Sequence, residues 1–142
     1  EDRAYLQSFD LDALKYARFE LNCDLRLVQL IGENSWHESP SDFDYLRSEA
    51  GLTEIASFAD GIGPWLPHAY ALDPIDGVPV SSGLVQMAHD AGLLVHPYTF
   101  RIDDLPAGFG SFAGLVEYFV DVLKVDGLFT DFPDRVLKLR VP

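Results

Sequence analysis

Short apolar segments that alternate with helical patterns constrain this sequence more than any other feature. Five such segments are brief and largely apolar, as buried parallel strands are: residues 4–9, 26–31, 60–64, 93–98 and 127–131. Strands that alternate with helices are typical of βα units and a parallel sheet. The pattern therefore predicts an α/β fold built from five consecutive βα units.

Helical spacing of apolar residues predicts a helix after each strand. The helices are expected to begin near Asp10, Ser48, Ser81 or Ser82, Ser111 and Asp134. The first places Leu11, Leu14 and Leu21 on one apolar face. Gly92 suits the left-handed position after the third helix. Each helix is thus expected to pack its apolar face on the sheet.

Two long connections, residues 32–43 and 65–80, follow the second and third predicted strands. Segments that follow strand carboxyl ends build the active-site face of parallel βα folds. Pro64, Pro97 and Pro133 each remove a ladder hydrogen bond, so each is expected at a strand end. We therefore expect a substrate pocket at the carboxyl ends of the strands.

Charge and cysteine content exclude several classes of function. The chain has 23 acidic and 10 basic side chains, and its net charge of −13 repels nucleic acid and anionic membrane surfaces. The single cysteine, Cys23, allows no internal disulfide and no cysteine-rich metal cluster. No apolar run reaches the roughly 18 residues of a membrane span. No histidine spacing typical of a metal site occurs within the chain.

Five βα units are fewer than a closed barrel needs, since that fold has eight strands and about 250 residues. An open doubly wound sheet is disfavoured because the first predicted turn lacks a glycine-rich motif. We therefore predict that residues 1–142 form the C-terminal part of a single barrel domain. An incomplete barrel has an unpaired strand at each edge, so an isolated fragment is expected to self-associate.

Five phrases of this sequence resemble glycerophosphodiester phosphodiesterases, most closely the periplasmic bacterial type. In chain order they are YLQSFD from Tyr5, LVQLI from Leu27, ADGIGP from Ala59, VHPYTFR from Val95 and GLFTDFPD from Gly127. The resemblance implies a partial TIM (βα) barrel, with strands four to eight and their helices present. It implies a hydrolase of lipid metabolism that cleaves glycerophosphodiesters to glycerol 3-phosphate and an alcohol. It also implies a periplasmic or secreted location, with a cytoplasmic one as the alternative.

The motifs that carry catalysis in that family have no counterpart in this chain. They are a His-Arg-Gly motif, a Glu-x-Asp pair, a second catalytic histidine and a metal-binding glutamate, all on the first three strands. By the resemblance, the ligands of a divalent metal, calcium or alternatively magnesium, lie upstream of Glu1 together with the acid–base histidines. We therefore expect no catalytic residue and no metal ligand in this chain, and no hydrolysis by it alone.

Candidate substrate-binding residues lie at or near the ends of predicted strands. They are Phe9, Gln29, Trp65, His96, Tyr98, Arg101 and Asp131. By the resemblance, Tyr98 stands where relatives commonly have Trp and packs against glycerol, and Arg101 pairs with phosphate or headgroup. Structural roles are the alternatives: Gln29 as a buried amide with partners, His96 as a core histidine, and Asp131 in a turn or helix cap.

Two other functions stay open. A non-catalytic half-barrel would bind a phosphorylated alcohol, or assemble with a partner that closes the sheet. A different phosphate-binding barrel, such as an isomerase, would show the same alternation of strands and helices, because fold alone does not determine chemistry. The phrases at residues 95–101 and 127–134 favour the phosphodiesterase.

Overall fold

A computed structural model describes residues 4–140. These residues form six strands: β1 (Tyr5–Ser8), β2 (Arg26–Ile31), β3 (Gly61–Pro64), β4 (Tyr70–Leu72), β5 (Pro79–Ser81) and β6 (Leu94–Val95). Four of them make a parallel sheet in the order β1-β2-β3-β6, and β4 and β5 form an antiparallel hairpin. The predicted α/β fold with a parallel sheet is confirmed. That these strands are the fourth to eighth of a barrel stays a prediction.

The helices pack around this sheet. They are α1 (Leu11–Phe19), α2 (Phe43–Leu46), α3 (Glu49–Ala56), α4 (Leu84–Asp90), α5 (Phe112–Glu117) and α6 (Pro133–Arg140), and a π-helical segment, Tyr118–Val122, continues α5. Asp10, Ser48 and Ser111 cap α1, α3 and α5, each side chain accepting a backbone N–H at 3.1 Å. These hydrogen bonds confirm the three predicted starts. Capping depends on local sequence, so it could be predicted without the structure.

The fifth predicted strand, residues 127–131, is wrong as a regular strand. The structure has a single parallel bridge there, between Phe100 and Thr130. The N–H groups of His96 and Tyr98 donate to the carbonyls of Ile62 and Pro64 in β3, at 2.9 and 3.1 Å. Pro97 is therefore the residue whose N–H would have faced residues 127–131, and proline has none. The ladder on that side stays incomplete.

Two helix details also differ from prediction. Leu21 is 63% exposed because α1 ends at Phe19, so its placement on the buried face is wrong. The cap residue of α4 is Gly83, with a φ of 88°, and neither serine. Ser82 still accepts the N–H of Leu84 at 3.3 Å. Gly92 has a φ of 81°, which confirms its left-handed conformation.

Two Asp-Gly turns tie the sheet together at its amino end. The Asp60 carboxylate accepts the N–H of Leu27 and pairs with Arg18, both at 2.8 Å. The Asp126 carboxylate likewise accepts the N–H of Val95 at 2.8 Å and lies 3.0 Å from His89. Each aspartate thus links a turn, the neighbouring strand and a helix, which leaves the carboxyl ends of the strands free to form a site.

The buried core lies between the sheet and the helices. It includes Leu27, Ile31 and Ile62 from the sheet and Leu52 and Ile55 from α3, all fully buried. At one edge of the sheet β1 pairs with β2 alone, among the residues described, and Tyr5 and Leu6 stay 37% and 39% exposed. No helix in residues 4–140 has the length and apolar character needed to cross a membrane.

Candidate functional site

Two adjacent cavities lie at the carboxyl ends of the parallel strands. The larger, the aromatic cavity, has a volume of about 530 Å³ and is lined by Trp36, Trp65, Leu66, Pro67, Tyr70, Tyr98, Thr99, Arg101, Asp104, Pro106 and Ala107. The smaller, the strand-end cavity, has about 320 Å³ and is lined by Gln7, Phe9, Leu30, Tyr98, Thr99, Phe129, Thr130 and Asp131. Tyr98 and Thr99 belong to both, so the cavities meet there.

Two indoles form one corner of the aromatic cavity. The rings of Trp36 and Trp65 lie 5.0 Å apart at an angle of 71°. His68 packs edge-on against Trp65 at 5.5 Å, and its Nε2 lies 2.7 Å from a Glu33 carboxylate oxygen. Burial lowers the pKa of His68 in spite of this hydrogen bond. The Trp65 wall is therefore supported from behind by a hydrogen-bonded, largely buried histidine.

The Trp36 wall depends on close approach to the backbone. A Cβ on Gly32 would lie 2.7 Å from the Trp36 ring, so a side chain there would displace the indole. Asn34 orders the same connection, because its amide oxygen accepts the N–H of Phe43 at 2.7 Å. Its amide nitrogen donates to Asp42 at 3.0 Å. These contacts hold Trp36 in place without a strand or long helix.

Tyr98 is fixed where the two cavities meet. Its hydroxyl donates to the carbonyl of Ile31 at 2.9 Å, and its ring meets Phe9 edge-on at 5.9 Å. Burial raises the pKa of Tyr98, and the negative charges of Glu38 and Glu33 raise it further. The hydroxyl is therefore neutral at physiological pH and acts as a hydrogen-bond donor.

Arg101 is already paired with carboxylates. Its Nε and Nη2 donate to Asp103 at 3.1 and 2.8 Å, and its Nη1 donates to Asp131 at 2.7 Å. These two acidic neighbours raise the pKa of Arg101. A phosphate would have to compete with both for the guanidinium. Pairing of Arg101 with phosphate or headgroup stays a prediction.

Most of the predicted substrate-binding residues meet at the two cavities, and two do not. Phe9, Trp65, Tyr98, Arg101 and Asp131 line one or both. Gln29 is fully buried and lines neither cavity. Its amide nitrogen donates to the carbonyls of Phe9 and Leu30 at 3.0 and 2.9 Å, which is the hydrogen bonding expected of a structural buried amide. His96 also lines neither, and it packs edge-on against Tyr5 at 5.0 Å. Burial lowers the pKa of His96.

Three main contributors to the aromatic cavity are not predicted by the sequence pattern. Trp36 and Tyr70 lie in the two long connections. Sequence pattern alone does not distinguish an aromatic side chain that lines a cavity from one that is exposed or buried in a connection. Asp104 lies in the connection between β6 and α5. The length of that connection was the available signal, because it also follows a strand carboxyl end.

A divalent metal does not fit the residues described. Within residues 4–140, no group of three or more His, Cys, Asp or Glu side chains is arranged to hold a metal ion. Each cavity has a single lining carboxylate among these residues, Asp104 in the aromatic cavity and Asp131 in the strand-end cavity, and Asp131 is tied to Arg101. No step through a metal is therefore assigned to this chain.

Comparison with known proteins identifies the family. The model of the Glycerophosphoryl diester phosphodiesterase family matches residues 1–135. This chain belongs to that family. A glycerophosphodiester phosphodiesterase of Haemophilus influenzae is 32% identical to this chain, and the match covers 94% of the chain and 41% of the relative's own length. One from Treponema pallidum is 27% identical over 96% of the chain and 43% of its own length.

The chain thus spans about two fifths of the length of these two relatives. A crystal structure of a candidate glycerophosphoryl diester phosphodiesterase from Silicibacter pomeroyi DSS-3 has a TM-score of 0.59 and 22% identity. That match covers 96% of this chain and 37% of the Silicibacter pomeroyi chain. At this identity the likeness shows a shared fold, and the family model supports the resemblance stated from the sequence.

Proposed function

We propose that this chain forms the substrate-binding wall of a metal-dependent glycerophosphodiester phosphodiesterase. The whole enzyme would cleave glycerophosphodiesters to glycerol 3-phosphate and an alcohol, as part of lipid metabolism. One observation carries the proposal: in a member of this family, two cavities meet at Tyr98, at the carboxyl ends of a parallel sheet. That is the end where βα barrels place their active sites.

A phosphodiester has two arms on one phosphorus atom, and the two cavities suit one arm each. The strand-end cavity offers polar groups for the glycerol arm, notably the exposed amide of Gln7 and the Asp131 carboxylate. The aromatic cavity offers Trp36 and Trp65 to the alcohol arm. The phosphate would then lie near Tyr98 and Thr99, where the cavities meet.

The described part of the chain offers no acid–base histidine to this site. His68 supports Trp65 from behind, with its Nε2 held by Glu33, and His96 lines neither cavity. We propose that the general acid, the general base and the ligands of calcium or magnesium lie outside residues 1–142. A periplasmic or secreted location is proposed on the resemblance alone.

The test compares chain 1–142 with the complete polypeptide of its source reading frame. Each is stripped of metal with a chelator, supplied with calcium or magnesium, and assayed for glycerol 3-phosphate released from a glycerophosphodiester. We expect metal-dependent hydrolysis by the complete polypeptide and none by chain 1–142. Hydrolysis by chain 1–142, or none by the complete polypeptide, would contradict the proposal.

The exposed sheet edge favours a second candidate, a non-catalytic half-barrel that assembles through β1. Among the described residues this strand pairs with β2 alone, and Tyr5 and Leu6 are exposed. An unpaired parallel edge is a template for another chain. Sedimentation of chain 1–142 is expected to show dimers or larger species, and a stable monomer would count against this candidate.

A further inference from the structure

We propose that the aromatic cavity selects a cationic, ammonium-bearing headgroup, with Trp36 and Trp65 as its walls and Asp104 as its counter-charge. The inference rests on the proposed function, because the headgroup is the alcohol arm of the diester. It goes further by naming the chemical class of that alcohol and the residues that select it.

The walls have the composition that recognises ammonium groups. An ammonium ion is attracted to the negative face of an aromatic ring, and indole is the strongest such partner. Two indoles meet here at 71°, and the rings of Tyr98 and Tyr70 complete the aromatic lining. The volume of about 530 Å³ lies within the range of small-molecule pockets. A trimethylammonium group can therefore contact several rings together.

The charge around the cavity is negative. Arg101 is the single cationic side chain among its described lining residues, and Asp103 and Asp131 both pair with it. Two carboxylates on one guanidinium leave an excess negative charge, and Asp104 adds another at the exposed rim. Such surroundings favour a cation and disfavour an anionic headgroup.

The walls are also held before any ligand arrives. Gly32 lets the Trp36 ring lie against the backbone, and His68 supports Trp65 through its hydrogen bond to Glu33. A binding site whose walls are already ordered loses less conformational entropy when the ligand binds. The selectivity should therefore depend on these walls and on Asp104 separately.

A binding experiment on the complete polypeptide tests the inference. Calorimetry compares choline with dimethylbutanol, its neutral isostere in which carbon replaces the charged nitrogen. Choline is expected to bind about tenfold more tightly. Asp104→Asn, which keeps the side-chain shape, and Trp36→Leu are each expected to reduce that ratio severalfold. Asp24→Asn is the matched control, because Asp24 is exposed and precedes β2 at the amino end of the sheet.

Equal affinity for the two compounds, or a ratio that neither variant changes, would overturn the inference. Hydrolysis separates it from the proposed function. If the complete polypeptide cleaves glycerophosphocholine and glycerophosphoglycerol with equal kcat/KM, the inference fails and the proposed function stands. If it cleaves neither, the proposed function fails, and the choline ratio still decides whether the cavity binds ammonium groups.

Discussion

The two cavities at the carboxyl end of the sheet are built in different ways. The strand-end cavity takes much of its lining from residues in or next to strands, such as Gln7 in β1, Phe9 after it and Leu30 in β2. The aromatic cavity takes most of its lining from connections, with Trp36 after β2, Trp65 after β3 and Asp104 after β6. The first therefore follows from the parallel sheet, and the second from how the connections pack.

This difference separates general from specific recognition. A parallel sheet presents its strand ends in the same place in any member of the fold. Connections vary in length and sequence more than strands do, so the groups they carry distinguish one member from another. This difference is the reason why the proposed function gives the glycerol arm to the strand-end cavity and the variable headgroup to the aromatic cavity.

The largest effect that would break this comparison is expected from Gly32→Ala. The new Cβ would lie 2.7 Å from the Trp36 ring and push the indole out of the aromatic cavity. Because Trp36 is 39% exposed and its ring can move outward, the free energy of unfolding should fall by about 1 kcal/mol, the low end for overpacking. Urea unfolding measures the loss, and a change in tryptophan fluorescence reports the displaced ring.

Gly110→Ala is the matched control, because a Cβ there meets no atom within 4 Å. Its free energy of unfolding should stay within about 0.5 kcal/mol of that of the unsubstituted protein. A Gly32→Ala protein with unchanged stability and fluorescence would show that Trp36 does not depend on this close approach.

A smaller effect on stability than that of Gly32→Ala is expected from pH, through the histidine that packs against the aromatic cavity. Burial holds the pKa of His68 below the value of about 6.5 that an unfolded chain has. Below that pH the unfolded state binds more protons, so the stability from neutral His68 is present above about pH 6.5 and lost as pH falls. Urea unfolding at about pH 7 and pH 5 should show a smaller acid-induced loss in His68→Gln.

His96→Gln makes the corresponding test on the sheet, since burial also lowers the pKa of His96. Because His68 supports Trp65 and His96 packs against Tyr5, acid should change tryptophan fluorescence through His68 alone. An acid-induced change that persists in His68→Gln would contradict the role given to that histidine.

The smallest effect is expected from Asp131→Asn, at the link between the two cavities. Asp131 lines the strand-end cavity and pairs with Arg101, which lines the aromatic one. Both side chains are about half exposed, so solvent screens the pair and its loss should lower the free energy of unfolding only slightly. A double-mutant cycle with Arg101→Gln measures the coupling by urea unfolding. A coupling as strong as that of a buried ion pair would show that the pair holds the two cavities together.

Local features of the sequence predicted most of the fold. Apolar runs located β1, β2, β3 and β6, and Asp10, Ser48 and Ser111 marked helix starts, because strand burial and capping depend on nearby residues. The β4–β5 hairpin was missed, since its strands are three residues long and lie inside a connection. The failure at residues 127–131 came from Pro97, about thirty residues away, whose missing N–H interrupts the ladder.

The candidate site divides in the same way. The sequence by itself placed Phe9, Trp65, Tyr98 and Asp131 at or near the ends of predicted strands, and the carboxyl ends of parallel strands meet at one end of the sheet. The tertiary structure alone decided that Trp36 lies on Gly32 beside Trp65, and that Arg101 is paired with Asp103 and Asp131. Periodicity and capping are set by neighbours along the chain, whereas the walls and charge of a cavity are set by residues that only folding brings together.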